Sequence, residues 1–160
     1  MKIRIINQIY SLKELKIPPE LPVGIIYLPA DFYSMRISMR RLWMKSKVIR
    51  LMIIMNPIGL SPHIVREIPE YCEMEVSDEA IGDCGVPPDR RDEYVTGITE
   101  KMVLREYKTF IWDPEVEITE RKTLYKAVYI QRSDGETHLY DTYSGKKVLV
   151  ENPLFIPKTP

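Results

Sequence analysis

Three residues of the chain have the types and the spacing for hydrolytic chemistry. Asp89, Glu106 and Lys108 combine two hard oxygen donors with a primary amine. Two carboxylates on neighbouring elements can hold Mg²⁺, which prefers oxygen ligands. The ion would stabilise charge developing on a phosphate. This needs residues 102–112 to be a strand, because side chains two apart on a strand share a face. Glu106 and Lys108 would then point the same way. Asp92 and Glu93 are substitute ligands should Asp89 face elsewhere.

Written out, Pro88-Asp89, sixteen residues, then Glu106-x-Lys108 resembles the signature of the restriction-endonuclease-like nucleases. The resemblance covers four residues. It implies metal-dependent cleavage of DNA or RNA, with Asp89 and Glu106 as metal ligands and Lys108 beside the water. The plainer reading makes Glu106 and Lys108 neighbours on the wet face of a strand, with no cofactor, and it is preferred.

A second chemistry comes from charge. Residues 35–50 carry Arg36, Arg40, Arg41, Lys45, Lys47 and Arg50 and no acid, whereas residues 67–89 carry eight carboxylates and no base. The chain as a whole is neutral, so nucleic acid cannot be held by the entire surface, yet one basic face remains possible. Arginine offers a fixed fork of donors to phosphate and lysine a point charge. Trp43 inside this run would stack on a base if it stands exposed beside the cations, or anchor a protein partner. The two blocks equally suit a solvated surface, pairing within the fold, or complementary faces between subunits.

Other candidate centres are weaker. His63, Cys72, Cys84 and His138 match no compact zinc spacing, and the cysteines read as small core residues. Asp113, Glu115 and Glu117 would share a face if extended, either binding a cation or guarding a sheet edge. No nucleophile turn and no glycine-rich phosphate cradle is present.

The elements that must position these groups follow from periodicity. Lys2–Ile9 and Val23–Leu28 read as strands. Ser11–Leu15 reads as one helical turn before a proline-rich connection. Asp31 caps an expected helix to about Lys45, with Phe32, Met35, Met39, Leu42 and Trp43 on its stripe. The rival is a strand in which Tyr33, Met35, Ile37 and Met39 alternate with Ser34, Arg36, Ser38 and Arg40, and it uses Ile37 better. The helix is kept by a narrow margin. Val48–Met55 is a buried strand. Ser61-Pro62 opens an expected short helix. Residues 70–91 form a long acidic excursion with a short strand at Cys72–Val76, or conceal a helix. Leu124–Ile130, Thr137–Thr142 and Lys147–Glu151 make a meander joined by turns at Ser133–Glu136 and Tyr143–Lys146.

These readings sum to one α+β domain over residues 1–160. It has a mixed or antiparallel curved sheet, the C-terminal meander, one or two helices in the N-terminal half and an irregular tail at 152–160. The length suits a single core. No apolar run is long enough to span a membrane, and two cysteines make no disulfide framework, so an intracellular setting is expected. The function expected is phosphate-backbone binding through Arg36, Arg40, Arg41, Trp43, Lys45, Lys47 and Arg50. Protein interaction or homo-oligomerisation is the first alternative, and the Mg²⁺-dependent nuclease is the second.

Overall fold

A computed structural model describes residues 1–41, 43–56, 61–83, 86–106, 112–133 and 135–150 of the chain. In chain order the elements are β1 (Lys2–Ile6), β2 (Gly24–Pro29), β3 (Phe32–Arg41), β4 (Met44–Met55), β5 (Pro62–Val65) and β6 (Tyr71–Glu75). After them come α1 (Arg91–Glu106), β7 (Trp112–Lys122), β8 (Tyr125–Ser133), β9 (Glu136–Asp141) and β10 (Lys147–Val150). Among the described residues the fold is mostly β, with one α-helix, in the C-terminal half, and neither sheet closes.

This corrects the α+β expectation with its N-terminal helices. From Tyr33 to Arg40 buried residues alternate with half-buried or exposed ones, as the strand period of two requires, and β3 is hydrogen-bonded on both sides, to β4 and to β7. A helix would have left Ile37 in water; the strand buries it completely. Pro62 does not begin a helix but the short edge strand β5, where a missing N–H costs little. Residues 102–106 are not strand but the last turns of α1. Part of the acidic excursion resolves into β6, two 3-10 turns at Asp78–Ala80 and Pro88–Arg90, and the start of that helix.

The first sheet runs β10-β9-β8-β1-β6, with β2 also paired to β8. The antiparallel β8-β9-β10 meander turns at Gly135 and Gly145, both in left-handed backbone that glycine adopts at no steric cost. The second sheet runs β5-β4-β3-β7, all antiparallel. Two of the passages between sheets, β2 to β3 and β7 to β8, form adjacent corners. There the Ala30 N–H donates to the Leu124 carbonyl at 2.8 Å, and the Met55 N–H donates to the Asp31 carbonyl at 3.0 Å. Ile6, Ala30, Phe32, Ile54 and Leu124 form one buried cluster at these corners, drawing on both sheets.

Under the meander, Lys126 and Asp141 form a buried ion pair at 3.1 Å. The second Asp141 carboxylate oxygen accepts the backbone N–H groups of Tyr143 and Ser144. Burial alone would raise the Asp141 pKa; Lys126 and those N–H donors outweigh it and hold the carboxyl below its ordinary value.

Candidate nucleic-acid interface

The basic segment is a β-hairpin made of β3 and β4. Along β3, Tyr33, Met35, Ile37 and Met39 are fully buried on one face. On the other, Ser34 and Ser38 are half-buried while Arg36 and Arg40 are exposed. Helix α1 backs the buried face. Val95 packs with Tyr33, Met35 and Ile53, and Val103 packs with Ile37 and Met39. The helix therefore lies along the hairpin and leaves the arginine face open.

Polar contacts fix the start of α1 at the base of the hairpin. The Arg91 guanidinium donates to the Val86 carbonyl at 3.2 Å and to Asp31 Oδ2 at 3.4 Å. Tyr33 Oη and Arg121 Nη1 both donate to Asp92 Oδ1, at 3.3 and 3.1 Å. Asp92 in the first turn also suits the helix dipole. Burial raises the Asp31 pKa, partly opposed by Arg91, and burial raises that of Tyr33.

Cross-strand register determines what lies beside each arginine. Arg36 stands opposite Arg50 on β4 and opposite Glu117 on β7; Ser38 stands between Val48 and Glu115. Residues directly opposite share a face, so the open face is basic along β3 and β4 and acidic along β7. Near the tip the register shifts. Met39 pairs with Lys47 and Arg41 with Met44, leaving Lys45 and Ser46 opposite Arg40, an irregularity of the kind that twists a ribbon and re-aims its side chains. Lys47 shares the face of Met39, so the six bases do not form a single row. Arg50, Lys45 and Lys47 are exposed, and Arg41 is placed by its backbone alone.

Two residues connect Arg41 to Met44, the second being Trp43, which is 95% exposed and has φ of 64°. Such turns normally take glycine or asparagine. A left-handed residue with a side chain costs roughly 1–2 kcal/mol, and the exposed indole returns no packing to the chain.

Three acids on and just after β6 pair with the N-terminal strand and not with this hairpin, and Asp83 meets Arg91 at 3.8 Å. Glu73 pairs with Lys2 at 2.7 Å and Arg4 at 3.6 Å, and the Met1 ammonium meets Glu75 at 3.0 Å and Asp78 at 3.7 Å. The Lys2 hydrogen bond lowers the Glu73 pKa. Among the described residues, Arg36, Arg40 and Arg50 form no ion pair. No family model, curated protein or solved structure matches the chain. The hairpin has to be understood from its own residues.

The hydrolytic centre is not assembled by this fold. Asp89 lies in the 3-10 turn just before α1, and Glu106 is the last residue of that helix. Sixteen helical residues span about 24 Å at 1.5 Å each, so the two carboxylates cannot share an ion. Asp92 is engaged by Tyr33 and Arg121, and Lys108 lies outside the described residues. His63 on β5, Cys72 on β6 and His138 on β9 stand on three separate strands, and Cys84 lies outside the described residues. Cys72 is exposed rather than core. Glu115 and Glu117 do share the open face of an edge strand, as an extended segment requires. No helix of the described structure is long and apolar enough to cross a membrane.

What sequence reading missed is the left-handed turn at Trp43, because a tryptophan gives no signal for positive φ. It also missed the acidic flank, because residues 36 and 117 become neighbours only through pairing of distant strands.

Proposed function

We propose that the β3–β4 hairpin is a nucleic-acid-binding arm inside the cell, taking phosphodiesters on Arg36, Arg40 and Arg50 with little base discrimination. One observation carries this reading: three exposed guanidinium groups share a face and form no ion pair among the described residues, while Glu73, Glu75 and Asp78 are occupied by β1 and the Met1 ammonium. Exposed arginines of this kind bind phosphate with charge-assisted, bidentate geometry. Lys45 and Lys47, both exposed, add positive potential near the tip. Assembly through complementary charged faces is less well supported, because much of the acidic half is already paired within the chain.

Binding measured by anisotropy of labelled oligonucleotides tests the proposal. Three phosphate contacts predict a slope of log K against log salt of about −2 on single strands and nearer −3 on duplex. Affinity should then fall more than tenfold between about 50 and 200 mM salt. Changing Arg36, Arg40 or Arg50 to alanine should each flatten the slope by about 0.7–0.9 and weaken all sequences alike. An absence of binding to either polymer at low salt rejects the proposal.

A further inference from the structure

Resting on that reading, we infer that the arm takes single-stranded nucleic acid, with one unpaired base stacked on the Trp43 indole and the adjoining phosphodiesters on Arg40, Arg36 and Arg50. Trp43 occupies a backbone conformation that glycine would adopt freely, and its ring is almost wholly in solvent. Among the described residues nothing rewards a tryptophan there, so its face is available to a partner. Stacking on aromatic rings beside a cationic track is how proteins hold single strands without reading their sequence, since every base has a π-face.

The same geometry disfavours a duplex. In a duplex each base face is covered by its neighbours, so a ring outside the stack finds no partner. Strand spacing in the sheet is about 4.8 Å, and the major groove alone is about 12 Å wide. A duplex lying over β3 and β4 would therefore bring phosphates above Glu115 and Glu117 on β7, which stand opposite Ser38 and Arg36. A single strand is narrow enough to follow the arginines and stay clear of those carboxylates. Base faces and phosphodiesters are common to DNA and RNA, so the sugar is an arm of the experiment.

The test compares wild type, Trp43→Ala and Trp43→Phe on labelled oligo(dT), oligo(U) and a duplex of equal length at low salt. Circular dichroism checks that each variant is folded. We expect at least one of the single strands to bind tenfold or more tighter than duplex. Trp43→Ala should weaken that binding roughly 5- to 150-fold, the effect of losing one stacked base. Duplex affinity and the salt slope should stay unchanged, and Trp43→Phe should keep most of the affinity. Equal affinity for both forms, tighter duplex binding, or equal loss on both from Trp43→Ala overturns the inference while leaving the binding arm in place. No binding to any of the three removes the arm and the inference together.

Discussion

The Lys126–Asp141 pair shows at the scale of single residues how this fold handles a buried charge. Both side chains are almost fully buried, and each oxygen of the Asp141 carboxylate has a partner. Removing one member of such a pair strands the other in a low-dielectric site. Asp141→Asn should therefore cost about 3–5 kcal/mol in urea denaturation. Because the folded Asp141 pKa lies below its ordinary 3.8, its stabilising effect is complete above that value. It is lost as pH falls through the lower folded value. Asp31 runs the other way: its raised folded value means that its ionisation weakens the fold as pH rises through the acid range. Melting temperature followed against pH should show a shallower acid decline in Asp141→Asn than in wild type.

At the scale of elements, the hairpin works because its two faces have different neighbours. Helix α1 covers one, and the other carries arginines beside the carboxylates of β7. Glu117→Gln should strengthen oligonucleotide binding about two- to fourfold, within the roughly 0.2–1 kcal/mol typical of exposed charge pairs; unchanged affinity would place the bound strand away from Arg36. The strand reading of residues 33–40 was legible, since only alternation accounts for Ile37. The competing stripe of Phe32, Met35, Met39 and Leu42 also fits a helix, and the sequence of one segment cannot report that β7, some eighty residues later, supplies a second hydrogen-bonded edge. Helix α1 was obscured for a related reason. Its fully buried line is only Val95, Thr99 and Val103, and Gly97 and two threonines dilute its propensity. Pro88 ahead of it, acids in its first turn and Arg105 in its last were the signals that could have found it. The meander was easier to read, because β8, β9 and β10 are neighbours in sequence and their turns contain glycines in left-handed backbone.

At the scale of the whole molecule, the cluster at the two corners ties the sheets together. Leu124 is completely buried there against residues of both. Leu124→Ala should lose about 2–5 kcal/mol. Far-ultraviolet dichroism and tyrosine fluorescence should still report one coincident unfolding transition; two separate transitions would show the sheets to be independent. The charge blocks conspicuous in the sequence turn out to stand on different sheets, with Glu73 and Glu75 on β6 beside β1 and the bases on β3 and β4. The ordering of the first sheet also constrains the path to the native state. Strand β1 lies between β6 and β8, pairing Ile5 with Cys72 and also with Tyr125. Its slot is complete only when a segment some 120 residues further along has emerged and docked. Closing loops of that size before any reward is gained slows folding into the millisecond-to-second range. Until that docking, Ile3 and Ile5 lack the cover of Ala127, and Ile6 lacks that of Leu124, so an oily edge stays wet for most of the search.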